Sequence, residues 1–132
     1  MKNTNLEFED IIGRYFNLKV KKQNYRIYVE EAGKGTPLLC LHTAGSDGRQ
    51  FRHILNDKKI TDNYRVIVFD LPWHGKSNPP EGYELKDYKL TTDLYKQIIM
   101  SFCEQYELRS PVIMGCSMAV SYTHLRAHET HS

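Results

Sequence analysis

"PVIMGCSMA", from Pro111 to Ala119, is the stretch on which the reading of the whole chain turns. Val112, Ile113 and Met114 form a short apolar run of the kind found in strands buried on both faces. The run enters Gly115-Cys116-Ser117-Met118-Ala119, one residue away from G-x-S-x-G, the sharp strand-to-helix turn that exposes a serine hydroxyl. Small residues suit the two ends of such a turn, because strand and helix pass closely there. The backbone N–H of Met118, at the start of the following helix, then faces the oxygen that becomes negative in acyl transfer.

Working back from this point, "PLLCLH" (37–42) and "YRVIVFD" (64–70) carry the same buried-strand signature, and the second delivers Asp70 at its carboxyl end. Upstream, "YFNLKVKKQNYRIYVEEAG" alternates large and polar residues on both sides of Lys22-Gln23-Asn24, which predicts two antiparallel strands with a tight turn there, ended by Gly33 and Gly35. Ser46 and Asp47 can cap a helix whose Phe51, Ile54 and Leu55 share a face, although Gly48 weakens its start. Pro72, Gly75, Pro79, Pro80 and Gly82 enforce a long loop. From Leu90 to Leu108, the residues Leu94, Ile98, Phe102 and Tyr106 recur at helical spacing, with Ile99 and Cys103 widening the stripe. After the hairpin the order is strand, helix, strand, helix, strand. That order predicts an α/β fold: an N-terminal antiparallel hairpin, then parallel strands with helices on both faces.

A chain of 132 residues, 40% hydrophobic and 26% charged, is long enough for one domain with a real core. The net charge of +2 comes from scattered residues, with Lys19, Lys21 and Lys22 the only local cluster, and offers no nucleic-acid footprint. Cys40, Cys103 and Cys116 are odd in number and lie in apolar sequence without close pairing, so they read as reduced thiols. The start, "MKNTNLEFEDIIGRY", has Glu7, Glu9 and Asp10 where a secretory signal needs an apolar core, and no apolar run approaches membrane-spanning length. The expectation is a cytoplasmic protein without nucleic-acid or membrane partners; oligomeric state is left open.

In an open parallel sheet the ligand crevice lies outside the carboxyl ends of the strands. Those ends carry His42-Thr43-Ala44-Gly45, then Asp70 through Ser77, then Gly115 through Ala119. Ser117 is the candidate nucleophile, and the N–H groups of Met118 and Ala44 are candidate oxyanion donors. Losing one such donor typically costs on the order of 10² to 10³ in rate. Ser117 as a plain helix N-cap is the alternative.

Over about residues 15–118 the chain resembles the N-terminal half of an alpha/beta-hydrolase. "LLCLHTAG" resembles the family's H-G-x-G oxyanion loop, with Thr43 where glycine is usual. "VIVFDLPWHGKSNPP" resembles its D-x-x-G-x-G-x-S loop, with Trp73 replacing the first glycine, and "VIMGCSMA" resembles the nucleophile elbow, with Ala119 replacing the last. The resemblance implies acyl chemistry on a small ester, lactone, thioester or carbon–carbon substrate, since dehalogenases and epoxide hydrolases of this fold have aspartate where Ser117 stands. It implies no cofactor and no metal. It also implies that the catalytic acid and histidine follow the serine in chain order. His42 and His74 are then structural or pocket-lining, His42, Thr43 and Trp73 are candidate substrate contacts, Trp73 otherwise simply packing, and Asp70 holds its loop by hydrogen bonds. A catalytically silent relative binding a small molecule in the same pocket is the second hypothesis.

The end of the chain, "VSYTHLRAHET" (120–130), resembles the conceptual translation of a transposase-type DNA sequencing adapter. A hybrid codon at the junction would account for alanine at position 119. The expectation is therefore that residues 1–119 are the N-terminal part of one hydrolase domain, that 120–132 are a non-native tail, and that the chain by itself is inactive. The alternative is a genuine tail in which His124 and His128, at i, i+4 spacing, bind metal or a partner; two histidines without further ligands make a weak site.

Overall fold

The computed structural model describes residues 6–43, 46–78 and 91–115. The alternating N-terminal segment forms β1 (Ile12–Val20) and β2 (Gln23–Ala32), paired antiparallel from Ile12↔Glu31 to Val20↔Gln23. The turn falls on Lys21 and Lys22, both left-handed at φ 48 and 65, slightly earlier than the sequence pattern placed it. Two-residue loops with positive φ at both positions match the right-handed twist of the flanking strands. The alternation could not locate the turn more closely because the whole Lys21–Asn24 run is polar.

The chain continues through β3 (Thr36–Leu41), a 3-10 turn at Gly48–Phe51, α1 (Arg52–Leu55), α2 (Lys58–Thr61), β4 (Tyr64–Phe69), α3 (Thr92–Gln105) and β5 (Val112–Gly115). Asp47 caps the 3-10 turn by accepting from the Arg49 N–H, as its place before the apolar face of Phe51, Ile54 and Leu55 predicts. α2, a single turn capped by Asp57 and burying no side chain, has no apolar periodicity by which to be foreseen. The five strands lie in the order β1-β2-β4-β3-β5, with β3 parallel to both β4 and β5 and β2 antiparallel to β4. This is the mixed sheet expected of a hairpin followed by strand–helix–strand units.

Because successive side chains of a strand point to opposite faces, each apolar run supplies two cores. Leu39, Leu41, Ile67 and Phe69 face α3 and pack with its Ile98, Ile99 and Phe102, and with Leu18, Ile27 and Val29 of the hairpin. Leu38, Cys40, Val66 and Val68 face the other way, onto Phe51, Ile54 and Leu55. The rings of Phe69 and Phe102 stack at 4.3 Å, and Phe16 meets Phe102 edge-on at 5.9 Å. Each fully buried side chain of this size stabilises the fold by about 1.5–3 kcal/mol. Near the start of β4, Glu31 accepts from Arg65, Arg14 and Tyr106 and so joins β1, β2, β4 and the end of α3. Desolvation acts against ionisation there, but the hydrogen bonds from Arg65 and Tyr106 prevail and hold the Glu31 carboxyl below its usual range.

Thr91 caps α3 through the Leu94 N–H, and at the other end Glu107, just past the cap residue Tyr106, has a left-handed φ of 59. The N–H of Leu108 reaches back to the Cys103 carbonyl at 2.9 Å, and Leu108 is itself buried, which completes a Schellman-type stop. β5 is less covered than its apolar run alone implies: Val112 is 47% exposed and the other three residues are half-buried. Among the described residues β5 lies at the sheet edge, with β3 as its neighbour, so it is not covered as a central strand would be. No helix among the described residues is long and apolar enough to cross a membrane.

Candidate active site

In the strand order, β3 lies between β4 and β5, so the carboxyl ends that carry the three motifs are adjacent. Leu41, the last residue of β3, pairs with Gly115, the last of β5. Chain order and sheet order part here, since the chain leaves β4 and returns to the sheet beyond β3, and such a point is where open α/β sheets hold their ligand crevice.

Asp70 organises one wall. Its Oδ1 accepts from the Gly48 N–H at 2.6 Å and its Oδ2 from the Lys76 N–H at 2.9 Å, while its carbonyl accepts from the Ser77 hydroxyl at 2.6 Å. The Ser77 Oγ in turn accepts from the Tyr28 N–H, tying the loop to β2. Asp70 thus does what its position in the motif led us to expect. The glycines around it are matters of space: a Cβ on Gly48 would lie 2.9 Å from Asp70 Oδ1 and Val68 Cγ1. One on Gly75, at φ +52, would lie 2.3 Å from Asp70 Oδ2.

His42 is buried at the end of β3, with both ring nitrogens engaged. Its Nε2 accepts from the Leu71 N–H at 2.9 Å, which makes Nδ1 the protonated nitrogen, donating to the Thr43 carbonyl at 2.8 Å. Burial pushes the imidazole below its ordinary pKa, in the direction that keeps it neutral. Thus His42 couples the ends of β3 and β4. Thr43 donates its N–H to Gln50 Oε1 at 3.0 Å, and its carbonyl accepts from the Ser46 N–H. Gln50 is a support that no sequence signal marks.

The segment after Asp70 leans over β3. The His74 N–H donates to the Leu71 carbonyl, closing a four-residue turn with Pro72 second and Trp73 third, and Trp73 has φ +67. Proline followed by a left-handed residue is the type II pattern, which favours glycine at the third position. A bulky residue there stores roughly 1–3 kcal/mol of strain. That explains in physical terms why the motif usually has glycine where Trp73 stands. The His74 ring lies 5.2 Å from that of His42.

The structure thus brings His42, Thr43 and the Trp73 loop to adjoining strand ends. Ser117, Met118 and Ala44 lie outside the described residues, as do Cys116 and the tail with His124 and His128. Among the described residues no three His, Cys, Asp or Glu side chains converge as a metal site. A cavity of about 270 Å³ opens beside the Asp70 loop, lined by residues including Glu30, Arg49, Arg52 and Lys76. It shares Asp70, Gly75 and Lys76 with the loop after β4, and no residue of β3 or β5 lines it.

The described residues form an open α/β sheet whose β4 end carries a D-x-x-x-x-G-x-S loop, with Gly115 to Ala119 following β5 in sequence. Residues 36–119 match the family model for the alpha/beta hydrolase fold, and the chain belongs to that family. It is similar to the AB hydrolase superfamily protein YisY of Bacillus subtilis (strain 168), with 28% identity over 111 residues, covering 82% of this chain and 38% of that protein. It is also similar to the crystal structure of the N-acyl homoserine lactonase AidH complexed with N-butanoyl homoserine, at 29% identity and TM-score 0.70, covering 88% of this chain and 42% of that one. An epoxide hydrolase from Vigna radiata shares the fold, at 20% identity and TM-score 0.72, covering 94% of this chain and 39% of the other. The chain spans about two-fifths of the length of these relatives.

Proposed function

We propose that the chain is the N-terminal part of a cytoplasmic serine hydrolase acting on a small ester, lactone, thioester or related acyl compound, carbon–carbon substrates included. The observation that carries this reading is the family match running through position 117, with serine there, two residues in sequence after the strand beside β3. The likeness to a lactonase at 29% identity favours acyl substrates over epoxides. In this reading the Ser117 hydroxyl attacks the acyl carbon while an imidazole takes its proton. The N–H groups of Met118 and Ala44 stabilise the resulting oxyanion. The alkoxide, the thiolate or, for a carbon–carbon substrate, a stabilised carbanion then leaves with the proton returned by the imidazole, and water releases the acyl group by the same steps. Side chains supply both nucleophile and base, so no cofactor is required. The catalytic acid and histidine belong to the sequence beyond residue 119, and residues 120–132 take no part. The burial of Cys40 and Cys103 as thiols fits a reducing compartment.

The test is hydrolysis of p-nitrophenyl esters by the 132-residue chain, its Ser117→Ala variant and the complete gene product. Equal near-background rates for the first two, with Ser117-dependent turnover in the third, are expected. Ser117-dependent turnover by the 132-residue chain alone would overturn the assignment of the acid and base to later sequence.

A further inference from the structure

Five non-glycine residues among those described have a left-handed backbone: Lys21, Lys22, Glu107, Ser110 and Trp73. Lys21 and Lys22 make the hairpin turn, Glu107 ends α3, and Ser110 lies in the short connection to β5. All four are polar residues in connections where such a conformation is ordinary. Trp73 differs in chemistry and in place. It is the chain's one tryptophan, at the turn position that most favours glycine, and it follows the carboxyl end of a parallel strand.

Its neighbours fix where it stands. Two residues before it, the Leu71 N–H donates to His42 Nε2; one residue after it, the His74 ring lies 5.2 Å from the His42 ring. Trp73 is therefore bracketed by two contacts to the last buried side chain of the β3 end, and its backbone is held over that end, beside the crevice. Glycine would make the same turn without strain. Strain that surrounding contacts over-determine at a ligand crevice is the pattern of a side chain retained for what it meets there.

We propose that Trp73 is a specificity-determining residue, whose indole forms one wall of the acyl pocket and selects esters and lactones with an extended apolar acyl chain. This rests on the acyl-hydrolase reading above. An indole face offers a broad, rigid apolar surface with a single polar edge, suited to a hydrocarbon chain and indifferent to an acetyl group.

The experiment uses the complete gene product and p-nitrophenyl acetate, butanoate and octanoate. Trp73→Gly and Trp73→Asn both tolerate the left-handed turn, so either keeps the loop fold available; Trp73→Phe keeps an aromatic wall. The ratio of kcat/KM for octanoate over acetate is expected to fall roughly tenfold in the Gly and Asn variants, mainly through KM, and to be largely retained in the Phe variant. Thermal midpoints of the Gly and Asn variants should be no lower than that of the parent. An unchanged ratio, with turnover still abolished by Ser117→Ala, overturns the role of Trp73 and leaves the hydrolase reading standing. A lowered thermal midpoint with an unchanged ratio assigns Trp73 to packing alone. Turnover that is absent, or that survives Ser117→Ala, overturns the hydrolase reading itself, and this inference with it.

Discussion

At the residue scale, the site's scaffold depends on a few polar atoms with no spare partners. Asp70 spends both carboxylate oxygens on backbone N–H groups, so Asp70→Asn, similar in shape, turns an amide NH₂ toward one of them. Leaving a buried donor unsatisfied, and losing a charge-assisted bond, costs about 2–3 kcal/mol. Urea unfolding of the two proteins should show a loss of that size. His42 adds a pH dependence whose sign follows from its lowered pKa. Unfolded, its imidazole takes up a proton near pH 6.5; folded, it does so only at lower pH. Between those values the unfolded chain binds more protons, so the His42 contribution to stability is intact above about pH 6.5, declines as pH falls below it, and levels off once the folded imidazole also titrates. Unfolding followed from about pH 7.5 to about pH 5.5 should show a smaller decline in His42→Gln than in the parent. The role of Asp70 was legible because its motif, from Asp70 to Ser77, is a pattern of residue types. The two hydrogen bonds of His42 and the support from Gln50 were not, because they depend on how two strand ends lie against each other.

At the scale of elements, periodicity carried most of the reading. The alternation of β1 and β2, the two apolar strands β3 and β4, and the stripe of α3 all rest on residue spacing, and spacing is what a sequence displays. Left-handed backbone at Lys21, Lys22, Glu107 and Trp73 was invisible, since none of these residues is the glycine that signals it. β5 was read as fully buried from its apolar run, but burial depends on neighbours, and the described sheet gives it one. The end of α3 offers a direct check on the Schellman-type stop. Glycine adopts the φ of 59 at position 107 without the Cβ penalty. Glu107→Gly is expected to stabilise the protein by about 0.5–1 kcal/mol in urea unfolding. The same substitution at Glu104, inside the helix, should destabilise it by a similar amount.

At the scale of the whole molecule, the sheet presents three motif-bearing strand ends side by side and places helices on both faces, as the sequence order implied. The sheet order itself, with β3 between β4 and β5, sets those ends next to one another. The central claim is that Ser117 is an activated nucleophile in the complete protein, and it is tested most directly by covalent labelling. The complete gene product is treated with a fluorophosphonate probe, digested, and the labelled peptide identified by mass spectrometry. Stoichiometric label on Ser117, lost in the unfolded protein and in Ser117→Ala, is the predicted result. A complete, folded protein that takes up no label, or that carries it on a residue other than Ser117, would contradict the claim.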